Sequence, residues 1–317
     1  MPKTFGIYGN PEKVNVRPTL EQLLKLLSPS ESKIIDSLYH LIGKHEHTSI
    51  STSAMDIANN ADIIFSLGGD GTMLSAARAI MRSNPDAQLL GINLGRLGFI
   101  SEHSTDLLPD LIKGIQEDTL LKENRLLIEA IGKSETNSQT GVLIRRDNLS
   151  PERENERGDS ARLLALNEIV IDNFGSTRML TFEIQVQGSH LGTLRADGLI
   201  VSTPTGSTGY SASAGGPLIE PTSPVMIVAP IAPHSLSVRP VVVPEWYEVD
   251  VRVWNDAGTP ILLVADGQEE IVIETPALIR ISGHQNRLKL LRHPSLSYFD
   301  LLRTKLLWSA DARSASR

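Results

Sequence analysis

The chain has 317 residues, a formal net charge of −7, 40% hydrophobic and 4% aromatic residues, and no cysteine. That length suits two domains, and the missing cysteines exclude disulfides and thiol catalysis. The acidic balance argues against nucleic acid or a membrane surface as partner, and no apolar run approaches the ~20 residues a membrane-spanning helix needs.

Phe5 to Gly9 reads as a strand closed by glycine. Apolar spacing predicts helices over Leu20 to Leu27 and Ile34 to Ile42. Lys44-His45-Glu46-His47 is a solvated loop rather than a metal site, because its histidines lie two apart and nothing supplies further ligands. Ile63 to Leu67 is long enough for one buried strand. It stops at Gly68-Gly69, and after Thr72, a reasonable N-cap, Met73 to Met81 has helical spacing. Such a strand, glycine turn and helix point backbone N–H groups and the positive helix end at one spot, where a phosphate can sit. Asp70 stands in that turn. Either it bonds its own backbone, or it accepts a proton or meets a metal. The turn is neither a Walker A loop nor a GxGxxG fingerprint. Gln88 to Asn93 makes another buried strand. It runs into a second glycine loop, Leu94 to Ile100, where Arg96 is a candidate phosphate contact. Leu107 to Ile115 looks helical. This alternation predicts an open, mostly parallel α/β sheet with ligands beyond the carboxyl ends of its strands.

Near Leu121 the pattern changes. Ser134 to Arg162 is polar and mixed in charge. It reads as a mobile insertion rather than an RNA-binding patch, since acids balance its arginines and no aromatics interleave. Strands are predicted at Leu163 to Ile171, Leu180 to Val186, Gly198 to Ser202, Val225 to Ala229, Tyr247 to Val253, Ile261 to Val264, Glu270 to Ile273 and Ala277 to Ile281. Their spacing suggests a β-sandwich or a related all-β layer. Tyr298 to Trp308 has helical spacing. The expected division is an α/β domain over 1–122, with a helix at 297–310 packing back on it, and a β-rich domain over 123–296 carrying an insertion at 134–162.

The densest stretch of the second half runs from Leu194 to Pro217 and is rich in short hydroxyls and glycines, which can bond sugars and phosphates without obstruction. Gly209 to Ser213 is four-fifths of a G-x-S-x-G nucleophile elbow, but the closing glycine is missing and no histidine partner is evident.

The sequence resembles the NAD kinase family. The match is carried by Gly68-Gly69-Asp70-Gly71-Thr72, by Leu166-Asn167-Glu168-Ile169-Val170, and by Asp197-Gly198 running into Ser202 to Ser211. Ile231 to Pro240 and Asp266-Gly267-Gln268 also look like the family, and the likeness spans Phe5 to Ile281. It implies a Rossmann-like α/β domain followed by a β-sandwich-like domain. It implies transfer of the ATP γ-phosphoryl group to the 2′-hydroxyl of the adenosine ribose of NAD, making NADP. Asp70 then orients that hydroxyl and takes its proton late, while Gly68, Gly69, Gly71 and Thr72 hold ATP phosphates. Mg²⁺ is expected as cofactor, bound mainly through ATP. Carried over residue by residue, the NAD contacts are Asp70, Gly71, Asn167, Glu168, Arg178, Arg195, Asp197, Thr208, Gly209, Tyr210, Ser211, Ala212, Ser213 and Gln268. Arg195 looks like a mark of members that prefer NAD over NADH. His234 reads as structural, its ring hydrogen-bonded. The family is usually dimeric or tetrameric, so a homodimer or homotetramer is expected, and a cytoplasmic location. GGDGT alone is shared with diacylglycerol- and sphingosine-type lipid kinases; that reading lacks a basic, amphipathic membrane-binding helix. A non-catalytic nucleotide sensor is the other alternative, against which Asp70 argues.

Overall fold

The structure, a computed structural model, describes residues 3–27, 32–43, 48–51, 53–136, 143–145, 161–175 and 178–306. The histidines of Lys44 to His47, most of the expected insertion at 134–162, and Trp308 lie outside them. The chain divides into two compact units, Met1–Glu123 with Lys289–Arg317, and Asn124–Leu288.

The first unit runs β1 (Phe5–Gly9), α1 (Val16–Leu27), β2 (Ser32–Ile35), α2 (Asp36–Ile42), β3 (Thr48–Ser51), α3 (Ala54–Asn60), β4 (Ile63–Gly68), α4 (Asp70–Ser83), β5 (Gln88–Asn93), α5 (Leu108–Glu117) and β6 (Leu121–Arg125). The second holds β7 (Ile128–Ser134), β8 (Leu143–Arg145), β9 (Ala161–Ala165), β10 (Glu168–Asn173), β11 (Leu180–Val186), β12 (Ser189–Ala196), β13 (Gly198–Ser202), α6 (Tyr210–Ser213), β14 (Val225–Ile231), β15 (Val241–Pro244), β16 (Val249–Trp254), β17 (Ile261–Ala265), β18 (Glu269–Ile273) and β19 (Ala277–Gly283). The chain then returns to the first unit through β20 (Leu288–Arg292) and α7 (Tyr298–Leu306).

The first sheet has the order β3-β2-β1-β4-β5-β20-β6. β1 pairs in parallel with β2 on one side and β4 on the other. The winding therefore reverses between β1 and β4, where open α/β sheets bind ligands beyond the carboxyl ends of their strands. β4 ends there, at Gly68. Its unbroken apolar run is buried throughout, as a central parallel strand requires. α1 faces the sheet with Leu20, Leu23, Leu24 and Leu27, the spacing of one helix face.

Three sequence expectations change here. Ile34 to Ile42 is not one helix, because Ser32–Ile35 pairs with β1 and β3 before α2 starts. Thr72 is not the N-cap of α4. Gly69 holds that place, and its carbonyl accepts from the N–H groups of Thr72 (3.0 Å) and Met73 (3.2 Å). The return to the first unit begins at β20, ahead of the predicted helix, because Lys289 and Leu290 pair in parallel with Gln88 and Leu89.

The second unit is two facing sheets, β15-β14-β13-β10-β17-β18-β8 and β12-β11-β16-β19-β7-β9. Alternate residues of both close one core, with Ile169, Leu199 and Leu263 from the first and Ile128, Phe182, Val251 and Ile279 from the second. The predicted strand Leu163 to Ile171 is two strands, β9 and β10, broken at Leu166-Asn167.

Candidate functional site

In the first unit the β4–α4 turn carries Asp70. Gly71 is exposed, Gly69 and Asp70 half-buried, and Thr72 buried with its side chain over Gly68. The Asp70 carboxylate reaches the second glycine loop. Oδ1 accepts from the backbone N–H of Ile100 (3.2 Å) and Ser101 (2.9 Å) and from the Ser101 hydroxyl (2.7 Å). Among the described residues Oδ2 accepts from the Phe99 N–H alone (2.8 Å). A carboxylate offers about two acceptor directions per oxygen, so Oδ1 is fully taken and Oδ2 keeps one. Asp70 therefore bonds not its own turn but the backbone and hydroxyl of a loop some thirty residues on. The fit needs a glycine at position 98, where a Cβ would stand 1.8 Å from Oδ1. Asn93 ties the loop together, its amide donating to the Arg96 carbonyl (2.9 Å) and the Ser101 hydroxyl (3.0 Å). Arg96 itself is exposed.

In the second unit Asn167 and Glu168 stand where β9 turns into β10. The break is made by Asp266, a hundred residues on. Its carboxylate accepts from the N–H groups of Leu166 (3.1 Å), Asn167 (2.7 Å) and Glu168 (3.2 Å), and its own N–H donates to the Glu168 carbonyl (3.0 Å). Glu168 is 7% exposed. Burial, helped by the nearby Asp266 charge and opposed by a hydrogen bond from the Tyr210 N–H, pushes its carboxyl up to about 8. Asn167 Oδ1 and Glu168 Oε2 are buried without a hydrogen-bond partner among the described residues. Buried polar atoms are nearly always partnered in folded proteins, and these two stand at adjacent residues.

The hydroxyl-rich stretch is ordered rather than a loose loop. After β13 it makes a 3₁₀ turn over Thr205–Thr208 and then α6. Thr203 is buried; its hydroxyl donates to the Leu166 carbonyl (2.5 Å) and accepts from the Gly206 N–H (3.1 Å). Gly206 passes so close to Asn167 that a Cβ would stand 2.2 Å from its carbonyl oxygen. A Cβ at Gly209 would meet Glu168 Oε2 at 3.0 Å. Asn167, Glu168, Gly209, Tyr210 and Asp266 thus form one cluster.

Comparison with known proteins follows this division. A model of the ATP-NAD kinase N-terminal domain matches residues 5–120, and one of the ATP-NAD kinase C-terminal domain matches 166–293, together more than half the chain. An NAD kinase of Bacteroides fragilis is 34% identical over 98% of this chain and 99% of its own length. The chain belongs to the NAD kinase family. An NAD kinase of Magnetococcus marinus is 37% identical over 80% of this chain and 76% of its own. Among solved structures, yeast NADH kinase complexed with NADH shares the fold with a TM-score of 0.83, at 21% identity over 98% of this chain and 89% of its own. An NAD kinase from Archaeoglobus fulgidus in complex with ATP does so at 0.69, with 24% identity over 96% of this chain and 98% of its own.

In this NAD kinase family member, the other expected contacts scatter. Thr208 and Gly209 are half-buried, Tyr210, Ala212 and Ser213 exposed, and Ser211 buried with its hydroxyl unpartnered among the described residues. Gln268 follows Asp266 in the same turn and is half-buried. Arg178 and Asp197 are exposed; the Asn173 amide donates to the backbone carbonyls of both, at 2.6 and 3.4 Å. Arg195 is exposed on β12, and among the described residues no ion pair joins it to Glu168 or Asp197. His234 is exposed and is tied by its backbone N–H to the Arg195 carbonyl (2.9 Å), so its ring is not a buried brace. Sequence reading missed Asp266 as an organiser of Asn167-Glu168. The signal was present in Asp266-Gly267, both at positive φ, a turn where Asp and Gly are favoured.

Proposed function

We propose that this chain phosphorylates NAD with ATP, transferring the γ-phosphoryl group to the 2′-hydroxyl of the adenosine ribose to give NADP. The observation that carries the reading is Asp70, fixed by four hydrogen bonds at a glycine turn with one direction of Oδ2 uncommitted. In a loose phosphoryl-transfer transition state little covalent work falls to the protein, and positioning dominates. Asp70 Oδ2 accepts the hydrogen bond of the attacking hydroxyl, aligns it, and takes the proton as the new P–O bond completes. The backbone at Gly69 to Gly71, before α4, meets the phosphates, with the helix N-terminus favouring negative charge; Thr72 serves mainly to pack over Gly68. Mg²⁺, as a partner of ATP, would be held mainly by the nucleotide rather than by side chains of this chain. Asp70 fits that role only as a minor ligand, because Oδ1 is already filled. When bound, the ion neutralises charge on the triphosphate.

Asn167 and Glu168 recognise the dinucleotide. With its carboxyl near 8, Glu168 is mostly protonated at neutral pH. It can then donate from one oxygen to a ribose hydroxyl or carboxamide oxygen while the Tyr210 N–H holds the other. Thr208 to Ser213, Asp197, Arg178, Arg195 and Gln268 are proposed to line the same dinucleotide. A cytoplasmic homodimer or homotetramer belongs to the same reading, and no helix among the described residues is long and apolar enough to cross a membrane. Purified protein given ATP, Mg²⁺ and NAD should form NADP, read by an NADP-specific dehydrogenase. Phosphorylation of diacylglycerol or sphingosine in vesicles, without NADP, would favour the lipid-kinase reading instead.

A further inference from the structure

The first unit contains a buried charged group that the reaction as described does not use. Arg292, at the end of β20, is 6% exposed. Its guanidinium forks over Glu102, Nε donating to Oε1 and Nη2 to Oε2 (2.7 Å), while Nη1 donates to Glu123 Oε1. Glu102 is itself 6% exposed. Such a buried ion network is a poor way to gain stability, because apolar side chains of similar volume usually do as well or better. What it supplies is fixed geometry, since a planar fork on a carboxylate sets both position and orientation.

The geometry it fixes is that of the Asp70 loop. Glu102 follows Ser101 directly, and the N–H groups of Phe99, Ile100 and Ser101 are the donors to Asp70. The residue after Arg292 grips the same segment again. The His293 N–H donates to His103 Nε2 (3.1 Å), which leaves His103 Nδ1 as the donor to the Gly91 carbonyl (2.8 Å). In α7, Lys305 Nζ lies 4.3 Å from the centre of the Phe99 ring. The segment 99–103 is thus held by Asp70 at its start and by β20 and α7, which come nearly two hundred residues later.

We propose that Arg292 is a positioning residue for phosphoryl transfer, acting through Glu102 and the Phe99–Ser101 backbone on the orientation of the Asp70 carboxylate. This rests on the NAD kinase reading above. A change that loosens the fork lets the three donors drift and Oδ2 turn away from its line of attack. It leaves Asn167, Glu168 and the other proposed dinucleotide contacts untouched.

The test compares the full chain with Arg292→Lys, which keeps the charge but not the fork, and with Glu102→Gln, which keeps the shape but not the charge. NADP formation, melting temperature and amide exchange across residues 98–103 are measured for each. The expected result is a kcat about 10–100-fold lower in both, with KM for NAD within about twofold and faster exchange at Phe99 to Ser101. In an Asp70→Asn background, Arg292→Lys should add no further loss. The proposal is overturned by an unchanged kcat per folded molecule, or by an equal fold-loss when Asp70 is already Asn. Should Arg292→Lys fail to fold, Glu102→Gln decides by the same criteria. If the unmutated protein makes no NADP, the functional reading falls on its own. Unchanged amide protection in the variants would then separately overturn the claim that Arg292 holds the loop.

Discussion

Replacing Glu168 by Gln should change how stability depends on pH in a way that can be worked from the structure. Burial and the Asp266 charge raise the Glu168 carboxyl to about 8 from an ordinary 4.5. Between those values the folded chain holds a proton that the unfolded chain has released. Stability contributed by this group therefore falls as pH rises, by about 1.4 kcal/mol per pH unit, and levels off above the folded value. From pH 5 to pH 8 the loss amounts to about 3 kcal/mol. Gln has nearly the same shape and no titration, so the stability difference, Gln variant minus unmutated chain, should grow in the variant's favour by about that amount over the range. Trp246 and Trp254, both in the second unit, report unfolding there in urea. A difference that stays flat between pH 5 and pH 8 would refute the claim that Glu168 is buried and protonated in the folded state.

Other changes bear on the first unit and on substrate choice. Asp70→Asn should lower kcat by ~10² to 10⁴ while NAD binding, followed by calorimetry, stays within a few-fold; near wild-type turnover removes Asp70 from its role. Gly98→Ala puts a methyl group where Oδ1 stands, 1.8 Å from the ideal Cβ, and should cost about 10²-fold in kcat through displacement of the carboxylate. An unchanged rate would show that the orientation of Asp70 does not matter. The unmutated chain should strongly prefer NAD over NADH in kcat/KM, and Arg195→Gly should narrow the gap, each tenfold being about 1.4 kcal/mol; equal values before mutation would sink this. Among the described residues no ion pair joins exposed Arg195 to Glu168 or Asp197.

The sequence carried the architecture where the signal was local. β4 announces itself as an apolar run ending in glycine, and the strands of the sandwich alternate between turn residues. It failed where the deciding partner was distant. Nothing between Leu163 and Ile171 says that the strand must break, since the break is imposed by three N–H groups turning to Asp266. The helical spacing of Ile34 to Ile42 was overridden at its start by sheet neighbours on both sides. β12 was missed because, as an exposed strand beside β11, it sets its core-facing Leu194 and Ala196 among Ser, His, Gly, Thr and Arg. β20 is short, and its reason for being a strand lies in its pairing with β5. At the site, the glycine turn was legible as a turn that can seat a phosphate, whereas the Asn167-Glu168 pair stood out only through the family resemblance. That Asp70 is anchored to the second glycine loop, chiefly through Oδ1, was not, because its partners Phe99 to Ser101 show no sequence sign of being donors.

The central claim is that Asp70 and its glycine turn direct a phosphoryl group to the ribose of NAD, and the position of the new phosphate tests it most directly. The protein is incubated with ATP, Mg²⁺ and NAD, and the product is examined by phosphorus NMR alongside an NADP-specific dehydrogenase. The account predicts a single new phosphomonoester on the 2′-oxygen, formed at a rate that Asp70→Asn nearly abolishes. A phosphate on another hydroxyl, ATP consumption without a phosphorylated dinucleotide, or equal product from the Asp70→Asn chain would contradict it.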